Sequence, residues 1–242
     1  AVMLETTESA PTIWWRKAGS SGPYTLAPAI NPVGDFADSS IFFADIAGPQ
    51  SNTLYEYAVV TGTSAAPKLA GPFQFKTWPR ESDGVASAKF AVVSDTQDGL
   101  ANRLKNITQG VINNDCAGVA AQCAQTLAGF MVPGDLVGSG GTRSNWKDQF
   151  FGPLAAISAY VPLIPSPGNH EYFGGEQASA GAEKTWAKTY RKYFNRMPAN
   201  GSLTHPLHWY YLDYLGMRIV GSDFNPASAM HNTGGWTSYD NG

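Results

Sequence analysis

Up to about residue 80 the apolar positions come in short runs cut by Gly, Pro, Ser and Asn clusters, as in Thr12–Trp15, Ile41–Ile46 and Leu54–Val60. Runs of that length with no competing helical period predict an all-β unit. Trp14, Trp15, Tyr55 and Tyr57 read as its core or as tyrosine-corner residues. From Phe90 the pattern changes. Apolar strands (Phe90–Val93, Phe130–Val132, Val161–Ile164, Met217–Val220) alternate with helical segments (about Ala101–Asn113, Ser144–Tyr160 and Ala180–Phe194). Such alternation predicts a largely parallel sheet with helical crossovers. The polar stretch Thr77-Trp-Pro-Arg-Glu-Ser-Asp-Gly84 separates the two patterns. The expected organisation is therefore a β-sandwich over residues 1–80 and an α/β domain over residues 81–242.

Composition narrows the function. Apolar residues make up 43% of the 242 positions, enough for a sizeable core. Charged residues make up only 14%, and the formal net charge of −3 comes without any Lys/Arg run, which disfavours nucleic-acid and anionic-membrane partners. No stretch approaches the roughly 20 apolar residues that cross a bilayer. The abundance of Gly, Ser, Thr, Asn and Pro points to a secreted or periplasmic protein. Cys116 and Cys123 are open to two readings. On one continuous helix they would stand about 10 Å apart along the axis, so a disulfide requires a loop between them; otherwise they are two small buried apolar side chains.

Three segments share one design, an apolar strand that ends in a loop carrying an oxygen or nitrogen donor. They are Phe90-Ala-Val-Val-Ser-Asp95-Thr-Gln97, Met131-Val-Pro-Gly134-Asp135-Leu-Val-Gly138 and Ile164-Pro-Ser-Pro-Gly168-Asn169-His170-Glu171. In an open α/β sheet the carboxyl ends of the strands converge on one crevice, so Asp95, Asp135, Asn169 and His170 can meet despite their distance in sequence. Carboxylate and amide oxygens with imidazole suit Mn, Fe or Zn, and an Asp between two such ions can bridge them. Gly134 and Gly168 fit a backbone that turns tightly as it leaves each strand. Taken singly, each Asp reads as a cap or turn residue; their shared order and spacing carries the reading.

In these motifs the chain resembles the calcineurin-like metallophosphoesterases, whose pattern is Asp-x-His, Gly-Asp-x-x, Gly-Asn-His-Asp/Glu and two later histidine segments. Gly48–Tyr57 and Phe73–Pro79 resemble the fibronectin type III-like domain that precedes the catalytic domain in purple acid phosphatases. The resemblance implies a phosphate-ester hydrolase of the acid-phosphatase kind, two transition-metal ions (Fe, Mn or Zn) and a small phosphorylated substrate. It also implies that Asp95 holds the first ion, Asp135 bridges, Asn169 holds the second, and His170 contacts the phosphoryl oxygens or protonates the leaving group. Glu171 would support the ligands from behind.

Two departures stand out. Asp95-Thr-Gln97 replaces Asp-x-His, so Gln97 is a weak oxygen ligand or none. Gly138 stands where purple acid phosphatases carry a metal-bound tyrosine, so the visible tyrosinate band should be absent. Asp223 ends the Met217–Val220 strand on the side of the site, where it would support it by hydrogen bonding. His231, in a Gly/Asn-rich loop, is a candidate substrate contact, weighed against an ordinary exposed histidine. His205 and His208 lie at a strand entry and read as surface residues. Because four donors at three tips cannot satisfy two ions, the sequence reads as truncated at its C-terminal end, with further histidine ligands beyond Gly242. Because Ala1-Val-Met-Leu-Glu-Thr6 resembles the second strand of the sandwich, it reads as truncated at its start as well. The competing reading is a non-catalytic binding or adhesion module on a degenerate scaffold.

Overall fold

The computed structural model describes residues 1–63, 65–97, 101–176, 187–201, 207 and 209–223. Six strands come first: β1 (Val2–Thr6), β2 (Thr12–Lys17), β3 (Thr25–Pro28), β4 (Ser40–Ala44), β5 (Leu54–Thr63) and β6 (Ala66–Lys76). They form a two-stranded sheet β1-β4 and a four-stranded antiparallel sheet β3-β2-β5-β6. The period of two puts Ile13 and Trp15 of β2 inside with Tyr55 and Tyr57 of β5, and puts Trp14 outside. Trp14 is 39% exposed against the tilted ring of Tyr24, which corrects its expected place in the core. The Tyr55 hydroxyl accepts from the Gln50 N–H at 2.8 Å, tying the strand to the loop before it.

The second half contains the parallel sheet β7-β8-β9, formed by Phe90–Val92, Gly129–Pro133 and Leu163–Ser166. Between β7 and β8 run helices α1 (Ala101–Asp115) and α2 (Cys123–Thr126). Between β8 and β9 run α3 (Arg143–Asn145), a π-helical segment Trp146–Phe151, and α4 (Gly152–Ser158). Leu104, Thr108 and Ile112 recur at i, i+4 on the buried side of α1, and Trp146, Phe150, Leu154 and Ile157 do the same on the other crossover. After α5 (Lys188–Tyr193) come β10 (Tyr210–Tyr214) and β11 (Met217–Gly221). β11 was expected to follow the parallel pattern, but among the described residues it pairs with β10 only, and antiparallel. Leu215 and Gly216, both at positive φ, make the tight hairpin turn that reverses the chain there.

The cysteines are joined. α1 stops at Asp115, and Ala117 and Gly118 at positive φ fold the chain back, so that the two Cα atoms lie 5.0 Å apart rather than along one helix. Both cysteines are fully buried in the α/β core, beside Leu104, Ile112 and Phe130.

Polar and apolar contacts fasten the β unit to the helices. Ile41 and Phe43 of β4 lie in the α/β core, and the Tyr57 hydroxyl donates to the Ala159 carbonyl at 2.7 Å. Arg143 pairs with Glu5 and Asp38, hydrogen bonds Ser39, and lies over the ring of Phe36. Burial alone would raise the Glu5 carboxyl, but hydrogen bonds from Ser39, Arg143 and the Tyr193 hydroxyl outweigh it and hold it below its usual value. A carboxyl depressed in the fold stabilises above its unfolded pKa and loses that contribution as pH falls through the folded one. Glu5→Gln should therefore cost about 1 kcal/mol near neutrality, where the half-exposed pair is intact. Thermal melts of the two proteins should converge as the pH is taken below the glutamate range. A constant gap down to that acidity would refute the contact.

Candidate metal centre

The strand ladder runs on past the strand ends. Val93 N–H donates to Met131 O, Asp95 N–H to Gly134 O at 3.3 Å, Thr96 N–H to Asp135 O at 2.9 Å, and Gly134 N–H to Ser166 O at 2.9 Å. Three loops are thus stitched side by side at the carboxyl edge of the sheet. Within them Asp95 and Asp135 both adopt the left-handed region, at φ 55° and 51°. For a non-glycine residue that conformation costs about 1 kcal/mol or more and persists only where the surroundings enforce it, commonly at functional sites. Asp95 is exposed, Asp135 and His170 are half-buried, and Asn169 is exposed.

Asp135 is held from several sides. Its Oδ1 accepts from the His170 N–H at 3.2 Å, and its Oδ2 lies 3.4 Å from the Gln97 amide nitrogen. Gly168 packs so closely that an added Cβ would overlap both the Asp135 carboxylate and its amide nitrogen. Fully buried Glu171 is the staple behind it. One carboxylate accepts from the N–H groups of Asp135 (3.1 Å), Leu136 (2.8 Å), Val137 (3.2 Å) and Gly168 (2.6 Å), so a single side chain clamps two of the loops. Burial pushes the Glu171 carboxyl up to about 7, against these backbone donors and with a small addition from the Asp135 charge.

Asn169 sits at the start of a short 3-10 turn, His170–Tyr172, without capping it through its side chain, so its amide is not consumed by the helix end. The His170 ring has Nδ1 2.9 Å from the Gly138 carbonyl and packs against Phe173 at 4.7 Å. Since a carbonyl only accepts, Nδ1 carries a proton and Nε2 is the nitrogen turned away from that contact. Asp223 is buried and accepts from the hydroxyl of Tyr172, the residue that follows Glu171 in the chain. Burial and the Asp223 charge push the Tyr172 hydroxyl well above its usual range.

The donor set fits a hard or borderline metal ion. Oε1 of Gln97 is buried and has no hydrogen-bond partner among the described residues, although its amide nitrogen lies beside Asp135. An orphaned carbonyl-type oxygen costs free energy that a cation would return. Asp95, Gln97, Asp135 and Asn169 supply oxygens of the kind such ions take. Among the described residues no three His, Cys, Asp or Glu side chains cluster for a metal. His205, His208 and His231 lie outside the described residues. The sequence reading missed the Gly138 carbonyl, because only the absence of a side chain at 138 was considered there.

The whole arrangement can be set beside known proteins. No curated protein sequence matches this chain significantly. The fold is similar to that of purple acid phosphatase PPD1 from seeds of yellow lupin (Lupinus luteus), with a TM-score of 0.61 and 18% identity. The match covers 94% of this chain and 43% of that one, so the chain spans less than half the length of its structural neighbour. At that identity the likeness concerns the fold. The sequence-level match is to the calcineurin-like phosphoesterase model and runs over residues 88–237, which takes in all three donor loops and more than half of the chain, and the chain belongs to that family.

Proposed function

We propose that this protein hydrolyses phosphate esters, as a phosphomonoesterase of the acid-phosphatase kind, at a centre of two transition-metal ions (Fe, Mn or Zn). The observation that carries the reading is the buried Oε1 of Gln97, without a partner among the described residues, beside Asp135 at the edge where Asp95, Asn169 and His170 also stand. In this reading residues 1–80 are a fibronectin type III-like sandwich and residues 81–242 belong to the catalytic domain. The buried disulfide supports an oxidising, secreted or periplasmic location.

When bound, the two ions would activate a water and offset the charge of the in-line transition state. Asp95 and Gln97 would hold one ion, Asn169 the other, and Asp135 both. His170, its Nδ1–H given to the Gly138 carbonyl, would meet the phosphoryl oxygens or the leaving oxygen with an Nε2–H when the ring carries both protons. Passing the Nε2 proton to the leaving oxygen as the ester P–O bond breaks would leave the Nδ1–H form. His231 is proposed as a further substrate contact. Glu171 and Asp223 hold the loops rather than the ions.

The test is metal titration followed by hydrolysis of p-nitrophenyl phosphate and its diester. About two equivalents of Mn, Fe or Zn should bind, activity should vanish with a chelator and return with metal, and the ferric form should lack a tyrosinate band. Gln97 in the place of a histidine favours a second reading, a non-catalytic binding or adhesion module on a degenerate phosphoesterase scaffold. Absence of bound metal and of turnover would establish it.

A further inference from the structure

His170 is held by a loop, Gly138–Gly141, that has neither strand nor helix of its own. The loop is moulded onto the His170 segment. Gly138 O faces His170 Nδ1 at 2.9 Å, Gly140 N–H donates to His170 O at 3.0 Å, and Gly141 N–H donates to Phe173 O at 2.9 Å. At Gly140 and Gly141 any Cβ would overlap the backbone of Glu171 and Gly174. Such close backbone contact transmits a shift in one loop directly to the other.

What holds the loop from its far side is the π-helical segment. The fully buried Trp146 donates Nε1–H to the Gly140 carbonyl at 2.8 Å, and Gln149 Oε1 accepts from the Gly138 N–H at 2.6 Å. Trp146 also belongs to the core, so its contact has a packing reason. Gln149 is only half-buried, and it binds the N–H of the same residue whose carbonyl, in the next peptide unit, faces the imidazole. Single-turn π segments recur at functional sites, where they re-aim side chains that an α-helix would place elsewhere.

We propose that Gln149 is a positioning residue for His170: by fixing Gly138 it turns the Gly138 carbonyl onto Nδ1, selects the Nδ1–H tautomer and leaves Nε2 for the phosphate ester. The last step rests on the function proposed above; the tautomer does not. Without the acceptor at 149 the Gly138 N–H loses its partner, the φ and ψ of Gly138 that aim its carbonyl are less constrained, and the ring loses the group that distinguishes its two nitrogens.

The test separates the two. In metal-free, ¹⁵N-labelled protein, a long-range ¹H–¹⁵N spectrum of the neutral His170 ring, assigned by its loss in His170→Ala, should show protonated Nδ1 and bare Nε2. Gln149→Leu should give a mixture of tautomers, and Gln149→Glu, which keeps the acceptor, should restore the native pattern. In the metal-loaded protein Gln149→Leu should lower kcat about tenfold, with KM and metal stoichiometry within about twofold, and Gln149→Glu should recover most of it. If the leucine variant fails to fold, Gln149→Ala is read in the same way. Native ring signals in a folded variant lacking the acceptor would overturn the proposal. Mixed tautomers with unchanged turnover would uphold the link and overturn the catalytic reading of His170 instead.

Discussion

Asp135→Asn should lower turnover of p-nitrophenyl phosphate by about 10³-fold or more, while the protein stays folded. The carboxylate is read as the group shared by both ions, and charge stabilisation by such ions is worth several kcal/mol of barrier, each 1.4 kcal/mol being a factor of about ten. Asparagine keeps the shape and one acceptor, so the contact to the His170 N–H survives. The backbone N–H bond to Glu171 is untouched. What is lost is one negative charge, and the amide that replaces it must set an N–H group against an ion or against the Gln97 amide nitrogen. Metal content, measured by elemental analysis after gel filtration, should fall well below that of the unaltered protein. Near-normal turnover with full metal content would show that Asp135 does not bridge.

His170→Ala is expected to behave differently. Its ring is anchored through Nδ1 to a carbonyl, and Nε2 is assigned to the phosphoryl group or leaving oxygen, a role typically worth roughly 10²–10⁴-fold. Metal stoichiometry should stay close to that of the unaltered protein, because the oxygens of Asp95, Gln97, Asp135 and Asn169 remain. An aryl ester with a good leaving group should lose less than an alkyl phosphate if proton donation is the main contribution. Loss of both ions on this substitution would make His170 a ligand and end the assignment.

The two variants probe parts of the site that differ in legibility. Each donor follows an apolar run that stops at a Gly or polar turn, a pattern that local physics imposes on any strand leaving a sheet, so the strand ends could be read without coordinates. The same holds for the change from short β runs to alternating strands and helices near residue 80. Where local chemistry was ambiguous, the reading stopped. A seven-residue Cys spacing permits a bridge only if the helix ends, and that depended on Ala117 and Gly118 turning left-handed. Leu215 beside Gly216 carries no strong hairpin signal, and the antiparallel β10–β11 pair was missed for that reason.

Sequence by itself determined which residue types stand at the strand ends, because apolar period, turn glycines and donor chemistry are local properties of the chain. Tertiary structure decided how those residues are held. Glu171 reaches four backbone N–H groups in two loops, Gly138 presents a carbonyl to an imidazole 32 residues later, and Gln149 reaches back to Gly138 from a helical crossover. Each of these contacts ends on a backbone atom, which every residue possesses. No side-chain pattern announces them, and only the packing of one loop against another makes them specific.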